Sequence, residues 1–411
     1  MKTKNSGGDF EKNRPTSGGV LRQVLGREGS LVKLKNRILD IYRIQLLLAM
    51  IILILNDYLR HLDSPIILCL VGITLLLASF NQVSRPWQKL NWGIQLLVGP
   101  FILSHATGSL LVLLSASNVI CGFVVLCYLV LFLPYAELFV KPLKNFWFRL
   151  FWVIFFFQIA ISPAIYYGIS TNHGNRWLTL LLTTGCLGAI TYFITVTRVF
   201  AAWRLQTPLS LTTQQLKLNW AVVLTYCLLV VLFLYSNLAS CQRLIWRNDL
   251  HQWQQLLLSL ESGIGEETLC RYAILTLLLV LLRNTKWPLQ LLLGIFGSSL
   301  IFGLFHFINL TDQSLSLTIY QFCFTTVSGI FFALIFLYTG QLWLVMLIHF
   351  VMDFAASLSN GATFGGTVSW ADYQSVLVLA ILMVGLTTWM MFGKRAQVMV
   401  QRVRILTNVV R

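Results

Sequence analysis

Leu256-Leu-Leu-Ser-Leu-Glu-Ser-Gly-Ile-Gly-Glu-Glu-Thr-Leu-Cys-Arg-Tyr272 opens an apolar run that continues to Leu282, and its three central charges decide how the chain is read. A 27-residue run of this kind is long enough to cross a bilayer as a helix, yet Glu266, Glu267 and Arg271 stand in its middle. Each such charge costs about 2.5–3.5 kcal/mol at the centre of a span, so a helix that keeps three of them has a use for them. Glu267 and Arg271 are four residues apart with the acid on the N-terminal side, the favourable arrangement for an intrahelical pair. Glu266 lies about 100° round an α-helix from Glu267 and is not neutralised by that pair. The spacing therefore predicts one structural carboxylate and one free carboxylate. A free carboxylate in a low-dielectric site can take a proton from water as a general base.

The rest of the chain places this run in a membrane. Hydrophobic residues make up 57% of 411 and charged residues 11%, with a mean hydropathy of +0.76. A soluble domain carries about 25% charged residues, so this chain has too few to cover a water-facing surface. Apolar segments fall at about 38–57, 66–82, 92–114, 118–136, 148–168, 177–200, 216–237, 256–282, 289–309, 316–338, 342–358 and 374–392, twelve candidate spans. The expected fold is all-α, a polytopic transmembrane helical bundle. Residues 1–37 form a basic tail, 38–245 an N-terminal transmembrane region, 246–392 the core that holds the unusual charges, and 393–411 a second basic tail.

Charge sets the orientation. The first 37 residues hold nine Lys or Arg and three acids, and the segment from Lys394 holds five basic residues and no acid. The net charge of +16 is concentrated in these tails and in short loops. It points to anionic lipid headgroups rather than nucleic acid, and to both termini on the cytoplasmic side of a cell membrane. On that topology the inside loops carry Arg85 and Lys89, Lys141 and Lys144, Arg204, and Arg283 and Lys286. Arg60 and Arg176 are mild exceptions. Arg243 and Arg247 fall on the outside, which is explained if Ser236 to Gln255 lies in the interface on Trp246 and Trp253. Residues 1–30 lack the apolar core of a signal peptide, and Met1 to Lys35 read as disordered or surface-lying. The eight cysteines contain no CxxC pair and sit mostly in apolar runs, where Cys is a small hydrophobe. Asp40, Asp57 and Glu137 lie near span ends, and His105 reads as a helix-packing hydrogen bonder.

Two further polar groups follow the Glu pair at helical spacing. Phe302-Gly-Leu-Phe-His306 puts an imidazole near the end of one span, with Phe302 a turn earlier on the same face. His349-Phe-Val-Met-Asp353 puts a second imidazole in another span with an acid at i+4, able to fix its tautomer. Read singly, each is a packing stitch. Together they would require three costly stitches in three helices, and one shared polar site accounts for them better.

Glu-Glu-x-x-x-Arg, then Phe-x-x-x-His, then His-x-x-x-Asp, in that order and on separate helices, resembles the CPBP family of intramembrane proteases, the Abi family related to type II CAAX prenyl endopeptidases. Thr339-Gly-Gln-Leu-Trp343 ahead of His349 is also similar to that family's third motif. The resemblance covers about a quarter of the chain. It implies an endopeptidase acting on a membrane-associated peptide or protein, with Glu266 as base and His306 as its partner. Arg271, Glu267 and Phe302 would support them, and His349 and Asp353 would face the oxyanion. Asp353 stands where prenyl-protein members usually carry Asn; an ionised Asp cannot donate to an oxyanion. The resemblance implies a metal-free, glutamate-based mechanism in a bacterial membrane protein. Two His and a Glu could also bind zinc as a His₂Glu site, although no HExxH places two ligands on one face. Relatives linked to bacteriocin self-immunity imply a non-catalytic scaffold or regulator as the alternative. A transporter is disfavoured, because the two halves show no matched broken helices.

Overall fold

The computed structural model describes residues 17–60, 65–79, 85–113, 118–161, 176–207, 219–239, 250–360 and 368–407. The described residues are almost entirely helical: α1 (Ser17–Arg60), α2 (Pro65–Ser79), α3 (Arg85–Leu113), α4 (Asn118–Val130), α5 (Leu133–Tyr135), α6 (Phe146–Ile161), α7 (Arg176–Thr183), α8 (Cys186–Ala202), α9 (Trp220–Ala239), α10 (Leu250–Glu261), α11 (Leu275–Leu281), α12 (Trp287–Phe305), α13 (Leu315–Thr339), α14 (Leu342–Asn360), α15 (Trp370–Met390) and α16 (Gly393–Thr407). π-helical segments at Ala136–Val140, Ser262–Glu266 and Thr268–Ile274 and a 3₁₀ segment at His306–Thr311 complete the described elements. The chain is an all-α membrane helical bundle.

Among the described residues, five helices are long and apolar enough to cross a membrane: Val32–Leu59, Gly122–Val140, Trp287–Thr311, Leu315–Thr339 and Trp370–Met390. Ile66–Ala78, Phe146–Ile161, Cys186–Ala202, Trp220–Leu232 and Leu342–Leu358 are shorter apolar helices. α1 differs from its expected start. It is helical from Ser17 over 44 residues, about 66 Å at 1.5 Å per residue, roughly twice the hydrocarbon thickness. Its basic first half thus extends the apolar span as helix, where the sequence up to Lys35 reads as a disordered or surface-lying segment. The expected interfacial arginines Arg243 and Arg247 lie outside the described residues.

Local chemistry fixes the helix ends. Pro288 occupies the first turn of α12, where its missing N–H costs nothing. Ser314 caps α13, and Ser369 with Asp372 forms a capping box at the start of α15. Gly340 ends α13 at φ +71°, a conformation that a residue with a Cβ adopts only under strain.

α13 is the central post. Its residues from Val327 to Tyr338 are all buried, because α12, α14, α15 and α16 surround it. α12 and α13 form the main antiparallel pair. On the other side α6 and α8 pack together and hold the π-helical stretch 262–274 against α14. Tyr272 donates to the Gln206 carbonyl at 3.1 Å, and its ring meets Phe200 at 4.9 Å. α16, drawn from the basic C-terminal segment, folds against α13 and α11 with Arg402 fully buried.

Candidate active site

The run read as one span is a continuous helical rod from Leu250 to Leu281, interrupted by two π-helical segments that flank Glu267. A π turn closes i→i+5 and inserts an extra residue, so it re-aims the side chains that follow; such turns are frequent at functional sites. Small residues let neighbours approach. A Cβ on Gly263 would sit 2.7 Å from the Met346 carbonyl of α14, and one on Gly265 would sit 2.9 Å from the Phe157 ring of α6.

The two glutamates part company here. Glu267 is completely buried and meets two partners: Oε2 lies 3.1 Å from Arg271 Nε, and Oε1 accepts from His349 Nδ1 at 2.7 Å. Arg271, 1% exposed, lies with its guanidinium 4.1 Å from the Phe302 ring centre and 5.0 Å from that of Phe332. Two ring faces and one carboxylate thus take the place of its water shell. Glu266 instead keeps 27% of its side chain exposed, and its Oε2 lies 3.8 Å from His349 Nε2.

His349 is the junction of the cluster. Nδ1 donates to Glu267, since an ionised carboxylate only accepts. Nε2 faces Asp353 Oδ2 at 3.4 Å and Glu266 Oε2 at 3.8 Å. Phe332 stacks on the imidazole at 5.2 Å, and Phe302 meets it edge-on at 6.0 Å. The ring is thereby held in plane and in tilt.

His306 ends α12. Its Nδ1 is 3.1 Å from the Phe302 carbonyl, which can only accept, so Nδ1 carries the proton and Nε2 keeps its lone pair in the neutral ring. Its ring packs edge-on against Phe302 at 5.2 Å. It makes no hydrogen bond or ion pair with Glu266 among the described residues.

The structure thus joins Glu266, Glu267, Arg271, Phe302, His349 and Asp353 by direct contact, with His306 beside Phe302. Two participants were not singled out from the sequence. Phe332 is an apolar residue in an apolar helix and gives no signal there. Glu261, the last residue of α10, folds over Gly265 against the start of α8, its Cγ 3.1 Å from where a Gly185 Cβ would stand. Among the described residues, no three His, Cys, Asp or Glu side chains are grouped so as to hold one metal ion.

Residues 248–355 match the family model of the type II CAAX prenyl endopeptidase Rce1-like proteins. No curated protein and no solved structure matches the chain. Every side chain of the cluster just described falls within the matched residues. Residues 248–355 are therefore similar to the type II CAAX prenyl endopeptidase Rce1-like proteins, as the CPBP resemblance of the three motifs leads one to expect, within a larger all-α membrane protein.

Proposed function

We propose that the chain is an intramembrane endopeptidase that hydrolyses a peptide bond of a membrane-associated substrate with a water activated by Glu266 and His306. The observation that carries this reading is the division of labour between adjacent glutamates. Glu267 is consumed by Arg271 and His349, whereas Glu266 has no cation beyond the imidazole and remains open.

The chemistry balances on these side chains alone. Glu266 takes one proton from water while the hydroxide oxygen bonds to the scissile carbonyl carbon, with His306 Nε2 steadying the same water. The carbonyl π electrons move to oxygen, and His349 Nε2, protonated, donates to the resulting oxyanion. Collapse of that intermediate breaks the C–N bond, and Glu266 returns its proton to the leaving amine. Glu267 holds His349 in the orientation this donation needs. Asp353 favours the charged imidazole but contributes no donor while ionised.

The test is digestion of a quenched peptide library by the purified full chain, with and without excess chelator. Cleavage that the chelator leaves unchanged is the expected result. Activity lost to chelator and restored by zinc would replace the glutamate mechanism with a metal one. No cleavage by a folded protein would favour the non-catalytic scaffold.

A further inference from the structure

The basic end of the bundle carries a built groove away from the active site. It lies between the start of α12, the end of α15 and α16, and encloses about 930 Å³. Its walls are apolar, formed by Leu292, Phe296, Val384 and Met391. At the rim the lining turns polar, with Gln397, Gln401 and Arg404 of α16. Trp287 stands at the same rim, where indoles gather at the level of lipid headgroups.

α16 is fastened here by two arginines that are already committed. Arg395 Nε donates to the Trp389 carbonyl at 2.9 Å, with its guanidinium 4.2 Å from that indole. Arg402 donates to the Thr339 carbonyl at 3.2 Å, closing the end of α13. Both cations thus sit on the negative ends of helices. Arg404 is exposed and has no hydrogen bond or ion pair among the described residues, although it lines the groove. A trench apolar along its length with an uncommitted guanidinium at its headgroup-level rim matches one occupant in both parts.

We infer that this groove seats one anionic phospholipid, its acyl chain along Leu292, Phe296, Val384 and Met391 and its phosphate on Arg404 with Gln397 and Gln401 as donors. Guanidinium and amide N–H groups all donate to phosphate oxygens, and basic pockets between spanning helices are known to take such headgroups. The bound lipid would brace α16 against α12 and α15.

Native mass spectrometry of the delipidated full chain, titrated with phosphatidylglycerol and phosphatidylcholine of matched chains, tests this. One phosphatidylglycerol per chain is expected, held about fivefold more tightly than phosphatidylcholine, as one cation at a headgroup supplies. Arg404→Gln should remove that preference while leaving acyl binding. Thr388→Trp, placed at an exposed groove position, should weaken both lipids. Thermal unfolding of each variant, unchanged without lipid, keeps misfolding apart from lost binding. Equal retention of the two lipids by the wild type, a preference that survives Arg404→Gln, or a chain dimer in place of a lipid adduct would overturn the inference.

Discussion

Glu266 and Glu267 are neighbours in sequence, yet one is 27% exposed beside an imidazole and the other is sealed between a guanidinium and a second imidazole nitrogen. Their substitutions should therefore fail in different ways. Removing one partner of a buried ion pair strands the other, at a cost of about 3–5 kcal/mol. Arg271→Ala should consequently lower the thermal unfolding midpoint in detergent and reduce the folded yield, with Glu267→Gln showing a smaller loss of the same kind. A midpoint unchanged in Arg271→Ala would mean that the pair is not structural. Asp353 gives the opposite expectation. Its Oδ2, 3.4 Å from His349 Nε2, places negative charge where an oxyanion would form. Asp353→Asn removes that charge and adds a donor, so kcat should rise, by about tenfold if the new amide reaches the oxyanion. A fall in kcat with unchanged KM would show that the aspartate's hold on His349 matters more than its charge.

At the scale of elements, the active geometry depends on how closely helices approach the π-helical stretch 262–274. A Cβ on Gly188 of α8 would stand 2.1 Å from the Ala160 carbonyl of α6, a backbone atom that cannot step aside. Gly188→Ala should thus push α6 and α8 apart at a cost of about 1–3 kcal/mol, read as a lowered unfolding midpoint. The same elements show what the sequence did and did not make legible. Glu266, Glu267, Arg271, His306, His349 and Asp353 stood out because polar groups are conspicuous inside apolar helices and recur at i+4. The π turns did not stand out, since no residue pattern here signals an inserted residue. Glu261 was missed for that reason. At α-helical spacing it lies about 140° from Glu266, whereas i→i+5 closure carries residue 266 back over 261. Phe332 and Arg402 were missed because their roles depend on which helices pack together.

Across the whole molecule, the Rce1-like domain is not a free-standing unit. α6 and α8 lie against the segment that carries both glutamates, Tyr272 hydrogen-bonds Gln206, and the Asn219 N–H donates to Tyr338 Oη at 2.7 Å. A fragment containing only residues 248–411 should therefore lose cleavage and fold poorly, and co-expression with residues 1–247 should restore both. Full activity from the fragment alone would show that the N-terminal region serves another purpose. The central claim is that Glu266, rather than its buried neighbour, takes the proton from water. It is tested most directly by kcat for peptide cleavage by the purified full-length Glu266→Gln variant, with its unfolding midpoint measured in the same detergent. A fall of about 10²–10⁴ in kcat at an unchanged midpoint is the predicted result, the range a general base contributes. Cleavage at the wild-type rate by the folded variant would contradict it.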